Sequence, residues 1–343
     1  IIGRLVGSEM CIRDSSPCWC EIVLICQPFL QKFESLRIYM VSLILVSGGD
    51  IASTNQADEL LKLCDWVELD RVEGRTAYSY QHARMWWVED GCLWEDDLDK
   101  RWEIATGEVP TEIIFPSRHS AASGNASLTL HPIGTMQVPE GVEPQYGGRS
   151  ADCPPPNPRI AAWWRELNEV GTVLEEFDLS LETTHHGPWI ETPSLFIEIG
   201  STAETWGHKK AAELLAGIIY KGLGLDGGSG LGNWQGDGTV VVTLGGGHYA
   251  PRANSLGLYE HVWIGHMLAT YALPFERDEE GNVSGMWNNS IRKAISATRK
   301  AYPGGRIVCS MDKKAFKGWQ RQAIRELLSE LEVPLLKSAE IIG

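Results

Sequence analysis

No apolar run in this 343-residue chain reaches the roughly 18 residues that a membrane-crossing helix requires, and mean hydropathy is only −0.16. Integral membrane helices are therefore excluded, and no membrane partner is expected. The 36 glycines and 17 prolines follow no period, which removes collagen-like and low-complexity classes. Basic charge is short: the net charge is −15 and the pI about 5.1, which argues against a general nucleic-acid coat. The familiar catalytic and metal signatures are missing as well. There is no H-E-x-x-H, no G-x-S-x-G elbow and no C-x-x-C pair.

Half of the eight cysteines, Cys11, Cys18, Cys20 and Cys26, crowd the first 26 residues, and Cys64, Cys92, Cys153 and Cys309 are isolated. The body of the chain shows no disulfide framework, so a reduced, cytoplasmic protein is expected. Residues 1–15 contain GRLVGSEMCIRDS, which resembles translated sequencing-adapter read-through. The stretch through Tyr39 lacks the basic, apolar and small-residue succession of a signal peptide. Residues 1–39 are thus expected to be an extraneous or disordered extension, and 40–343 a single α/β domain.

From Val41 onward, short apolar runs alternate with amphipathic stretches, the pattern of an α/β protein. Strands are expected at 42–46, 112–115, 127–130, 195–199, 239–244 and 306–309, and helices at 55–63, 158–177, 204–223, 256–271, 289–300 and 317–331. TVVVTL (239–244) has no polar alternation and should be covered on both faces. Ser201 and Glu204 have capping-box spacing.

Polar residues follow the strands, where open α/β sheets place their ligands. Arg118 and His119 follow one strand, His131 another, and Gly245, Gly246 and Gly247 deliver His248 after TVVVTL. Three glycines carry an entropy cost that an ordinary turn would not need. They let backbone approach a substrate and donate to an oxyanion; the plainer reading is a turn with a surface histidine. His185 and His186, adjacent before Gly187-Pro188, reach one site only from a turn; otherwise one is core and the other solvated. Glu198, between apolar neighbours on a central strand, must be paired, protonated or metal-bound if buried. His131, His185, His186, Glu198 and His248 are the catalytic candidates, with Arg118, His119 and the three glycines as substrate contacts. His and carboxylate donors suit zinc, but no compact spacing singles out ligands; His131, His186, Glu198 and His248 are the candidates. His82, His208, His261 and His266 read as structural or surface residues, the last three in helices.

Charge is uneven. Residues 290–325 carry ten basic side chains against Asp312 alone, while 50–112 hold sixteen acidic and six basic residues. The basic stretch, with Lys313, Lys314 and Lys317, is either a solvated face or a docking surface for a polyanion. WWVEDGCLWEDDLDKRW (86–102) reads as an exposed insertion with aromatic anchors, and GGSGLG (227–232) as a flexible loop.

Taken in order, SRHS (117–120), HPIG (131–134), PPPNPRI (154–160), ETTHHGP (182–188), FIEIGST (196–202), GGGHYAPR (245–252) and the His-Met pair at 266–267 resemble the D-aminoacyl-tRNA deacylases of archaeal and plant type. The resemblance runs from Met40 to about Lys314. It implies hydrolysis of the ester joining a D-amino acid to tRNA, zinc as cofactor, and tRNA charged with D-amino acids as partner. It also implies a three-layer α/β/α fold with a mixed sheet, phosphorylase/hydrolase-like and similar to peptidyl-tRNA hydrolase. Two other readings of the residues remain: a zinc-dependent hydrolase of small amino-acid derivatives, and a non-catalytic tRNA-binding module.

Overall fold

The computed structural model describes residues 39–89 and 91–343, and Met40–Gly343 forms one compact unit. Residues 1–38, and with them nearly all of the expected extension, lie outside the described residues. Strand β1 (Tyr39–Ser47) is apolar at successive positions from Val41 to Val46 except Ser42, so both of its faces must be covered. It lies inside an eight-stranded sheet whose other members are β2 (Val67–Glu68), β3 (Ala77–Tyr80), β4 (Ala83–Val88), β5 (Glu108–Arg118), β6 (Ser127–His131), β7 (Asp178–Leu181) and β8 (Ser194–Gly200). Their order is β2-β3-β4-β1-β5-β8-β6-β7. β1 pairs parallel to β4, β5 to β8 and β6 to β7, whereas β6 runs antiparallel to β8. The sheet is mixed, as the resemblance implies.

Alternate side chains of β1 divide the two layers. Ile44 and Val46 join one core with helices α1 (Ile51–Leu63), α3 (Ile160–Val170) and α5 (Lys209–Gly222). Leu43 and Leu45 join another with Phe115, Phe196 and Trp102 of α2 (Leu98–Thr106). TVVVTL forms β9 (Thr239–Leu244) in a second, all-parallel sheet of order β10-β9-β13, with β10 at Val262–Leu268 and β13 at Arg306–Met311. Val241 and Val308 enter the first core beside α6 (Pro251–Gly257), and Val240 and Val242 meet α7 (Trp287–Ala301) and α8 (Gly318–Glu330). β9 is thus covered on both faces, and one core spans both sheets. A two-residue hairpin, β11 (Glu276–Arg277) with β12 (Val283–Ser284), and the helical turns α4 (Ala203–Trp206) and α9 (Ser338–Ile342) complete the fold.

Several local expectations are corrected. Residues 256–271 hold β10 rather than a helix: Gly257 ends α6, and a Cβ at Gly265 would lie 2.6 Å from Thr298, so α7 packs directly on this strand. A short apolar run satisfies helix and strand alike, and tertiary cover decided it. The expected 158–177 helix stops at Val170, and 204–223 breaks at Gly207-His208. Thr202 with Thr205 makes the capping box, while Ser201 turns inward and donates to the Asn125 carbonyl at 2.6 Å. The Trp-rich segment is no exposed insertion. It supplies β4 and α2, and Trp86 and Trp102 are fully buried edge-to-face at 5.5 Å. Its acidic side chains are used locally: Asp99 accepts from the Glu191 and Thr192 amides, and Glu95 pairs with Arg75 and Arg101.

Candidate active site

The carboxyl ends of β5 and β8 point the same way, placing Ser117, Arg118 and His119 beside Glu198. His131 arrives differently. Because β6 is antiparallel to β8, His131 stands opposite Phe196, where its strand ends mid-sheet rather than at the common carboxyl rim. β7 ends at Leu181, and the chain continues through Glu182 to His185 and His186. His248 comes from the other sheet: the Thr183 amide donates to the His248 carbonyl at 2.8 Å and the Ala250 amide to Leu181 at 3.0 Å. These segments enclose a cavity of about 500 Å³ lined by Arg118, His119, His185, His186, Glu198 and His248, with Trp94, Tyr146 and Phe196 as aromatic walls.

The imidazoles are packed against one another. Ring centroids lie 4.1 Å apart for His131–His185, 4.9 Å for His131–His186, 4.7 Å for His185–His248 and 5.7 Å for His119–His248. Their tautomers follow from their partners. The Nδ1 atoms of His131, His185 and His186 face the carbonyls of Pro132, Thr183 and Gly187 at 3.1, 2.7 and 2.7 Å. A carbonyl only accepts, so each Nδ1 carries a hydrogen and each neutral ring presents a lone pair at Nε2. The three residues each offer a ring nitrogen within 4.8 Å of the other two.

Two buried carboxylates complete the cluster. Glu198 accepts from Ser117 Oγ at 2.6 Å and Thr129 Oγ1 at 3.4 Å, with His131 Nε2 at 3.5 Å and His119 Nδ1 at 3.6 Å. Burial works to raise its pKa, but His131 and His119 outweigh it and hold the carboxyl well below the usual range. Burial likewise opposes charge on His119 and His131, yet Glu198 with Glu182 shifts both upward. His185 and His186 move the other way. Burial and the neighbouring imidazoles depress them, His186 to about 3, so both stay neutral.

Glu182, inside ETTHHGP, is a site residue that reading the sequence did not single out. It is fully buried, with His248 Nε2 at 2.9 Å, His119 Nδ1 at 3.0 Å and His185 Nε2 at 3.7 Å. Among the described residues neither of its oxygens has a hydrogen bond, although two ring nitrogens stand within 3.0 Å. A buried carboxylate in that position suits a cation shared with the rings. His119, Glu182 and His248 form a second three-donor group within 4.8 Å. His131 Nε2 is also buried without a hydrogen bond. His₃ and His₂Glu are donor sets that zinc accepts, so these residues fit the ion that the resemblance implies. The available signal for Glu182 was its place directly after a strand and three residues before a histidine pair.

Other expected residues fall outside the cluster. Gly245 and Gly246 have φ of +90° and +96°, which explains glycine there, but their amides already donate to Leu268 and Thr270 at 2.7 and 3.0 Å. They are not free to bind an oxyanion. None of the three glycines lines the cavity; the loop's part is to aim His248. Arg118 sits at the cavity, its guanidinium 4.9 Å from the Trp206 ring. Lys313 and Lys314 line a different cavity, and Lys317 caps α8 outside both. His266 is structural, as expected, but in a strand. It contacts Thr184 Oγ1 and the Pro154 carbonyl at 3.0 and 3.1 Å, and burial drives it to about 3.

The cluster of imidazoles and carboxylates sits on an α/β scaffold, and comparison with known proteins shows the family of the chain. A family model described as D-aminoacyl-tRNA deacylase matches residues 106–336. A protein of Arabidopsis thaliana named D-aminoacyl-tRNA deacylase is 40% identical, covering 85% of this chain and 96% of its own. One of the same name from Pyrococcus furiosus is 29% identical over 87% of this chain and 100% of its own. The crystal structure of a conserved protein of unknown function matches with a TM-score of 0.72 at 27% identity, covering 88% of this chain and 96% of that one. The chain belongs to the D-aminoacyl-tRNA deacylase family.

Proposed function

We propose that this protein hydrolyses the ester joining a D-amino acid to the 3′ end of tRNA, releasing both and keeping D-residues out of translation. The observation that carries the reading is one cavity lined by four imidazoles and Glu198, with buried His131 and Glu182 packed against those rings, in a chain of this family. Against its burial, Glu198 and Glu182 on either side of Nδ1 shift His119 toward the protonated form, and this ring is assigned to protonate the leaving ribose oxygen. His185 and His186 stay neutral, which makes them poor proton carriers and good metal donors. His131, His185 and His186 would hold zinc, which would supply an acidified water and polarise the ester carbonyl. Arg118 offers a fixed positive charge at the cavity to the carbonyl oxygen as it becomes anionic. Trp94, Tyr146 and Phe196 wall the cavity, and the choice of D over L is assigned to the shape of that wall. The described cysteines are all free thiols, and among the described residues no helix is long and apolar enough to cross a membrane. Both support work in the cytoplasm.

The test is release of D-tyrosine and of L-tyrosine from charged tRNA, with and without a chelator. D-tyrosine alone should be freed, with loss on chelation and recovery with zinc. Alanine at His131, His186, Glu198 or His248, and Glu182→Gln, should each slow release by about 10²-fold or more. Near-native rates in three of the four alanine variants overturn the assignment. Turnover of free D-aminoacyl esters but not of charged tRNA favours the small-molecule hydrolase, and tRNA binding without turnover favours the non-catalytic module.

A further inference from the structure

A second cavity, of about 510 Å³, opens beside the strand ends that deliver His248. β13 lies parallel to β9 with Met311 opposite Leu244, and the Asp312 amide donates to the Leu244 carbonyl at 2.8 Å. From this shared edge β9 continues through Gly245–Gly247 to the catalytic cavity, and β13 continues into Asp312, Lys313 and Lys314. Arg252, four residues beyond His248, reaches the same second cavity from α6, Arg325 from α8, and Lys337 from the residue before α9.

These five cations are uncommitted. None makes an ion pair within 4.0 Å among the described residues. The two carboxylates present are engaged with backbone: Asp312 Oδ1 accepts from the Lys314 amide at 3.0 Å, and Glu340 Oε2 from the Lys337 amide at 2.8 Å. Arg252 Nη1 donates to Ser338 Oγ at 2.9 Å, while its Nε is buried with no acceptor among the described residues. Against Asp312 and Glu340 the lining keeps a cationic excess, a local reversal in a chain of net charge −15 that suits an anionic partner. Tetrahedral oxyanions match these donors: Arg supplies directed N–H groups, and the lysines mobile point charges.

We propose that this cavity binds backbone phosphates of the tRNA acceptor arm and so registers the 3′ end on the catalytic cavity. The assignment rests on the deacylase reading. RNA backbone is favoured over a free nucleotide because the lining offers no aromatic face for a base; its apolar members are Met311, Leu335 and Leu336. Five cations also exceed what one phosphate needs, and a run of phosphodiesters uses them together.

The experiment compares the full-length protein with a Lys313→Gln/Lys314→Gln/Arg325→Gln variant and with Arg252→Gln, after thermal unfolding shows that each is folded. The three exposed residues of the first variant keep the test open should Arg252→Gln fail to fold. Uncharged tRNA is titrated across a salt series. The ester is assayed both as D-tyrosyl-tRNA and as D-tyrosyl-adenosine, which has the ester and no phosphate. The triple variant should bind tRNA about tenfold or more weakly, with the log–log salt slope reduced by about 1 for each phosphate that is no longer neutralised. Its loss of kcat/KM on D-tyrosyl-tRNA should exceed that on D-tyrosyl-adenosine by a similar factor. Unchanged tRNA affinity and slope, or equal loss on both esters, overturns the proposal. So does tight binding of AMP or inorganic phosphate that Arg252→Gln abolishes while tRNA affinity holds. If the unsubstituted protein cleaves neither ester, the deacylase reading fails, and the tRNA titration still decides the cavity.

Discussion

His185 and His186 have pKa values driven down by burial and by the imidazoles of His131 and His248, and Glu198 has one driven down, against its burial, by His131 and His119. His119 and His131 are shifted up. Each shift has its own pH window. The raised imidazoles stabilise the fold fully below about pH 6.5 and lose that contribution as pH rises through their folded values. Glu198 stabilises above about pH 4.3 and loses its contribution as pH falls through its folded value. His185 and His186 take up a proton in the unfolded chain below about pH 6.5 but not in the native one, so acid works against the fold there. Among these five shifted groups, His185 and His186 dominate the slope between about pH 6.5 and 4.5. In chelator-treated protein the melting temperature should therefore fall across that interval, and His186→Gln should flatten the fall. An identical slope in the variant would show that His186 protonates freely in the native state.

At the scale of elements, the loop that presents His185 and His186 depends on a contact that carries no charge. A Cβ at Gly187 would stand 2.2 Å from the Gly148 amide nitrogen and 2.5 Å from the Leu93 carbonyl, all backbone atoms that cannot swing aside. The Trp-rich segment therefore buttresses the turn that presents His185 and His186. Gly187→Ala should cost about 1–3 kcal/mol in stability and reduce deacylation, measured by denaturant unfolding and ester release. A fully active, fully stable variant would mean that this turn is free to shift. Part of this was legible in the sequence. Pairing an HH with Gly-Pro called for a turn, and the continuous apolar run of β8 called for a buried strand around Glu198. The buttress was not, because Leu93 and Gly187 are 94 positions apart and carry no shared pattern. Nor was β10, whose apolar period fits a helix equally well until α7 closes over Gly265.

Across the whole molecule, one buried ion pair ties the sheet to its connections. Arg159 donates through Nε to Glu112 Oε2 at 2.6 Å and through Nη2 to Oε1 at 2.9 Å. Its Nη1 reaches the carbonyls of Gly222 and Leu231 at 2.6 and 2.7 Å, at the end of α5 and in the glycine-rich loop. Ser42 and Asn157 donate to the same carboxylate, so β1, β5, α3 and α5 meet at one charge pair. That gives PPPNPRI a structural purpose. Glu112→Ala strands a buried guanidinium and should destabilise the protein by about 3–5 kcal/mol in denaturant unfolding. A loss under about 1 kcal/mol would show that water reaches Arg159.

What the sequence alone determined is the set of local choices: apolar runs long enough for buried strands, turns where Gly-Pro and triple glycine stand, and polar residues placed just past strand ends. Periodicity and turn chemistry act over a few residues, so those signals survive without the fold. Only the tertiary structure decided that β6 runs against β8, that β9 lies in a separate sheet, and that Glu182 faces His119 and His248. Strand direction and sheet membership are settled by which distant surfaces bury one another, and a buried carboxylate shows its partners only when the chain has closed around it.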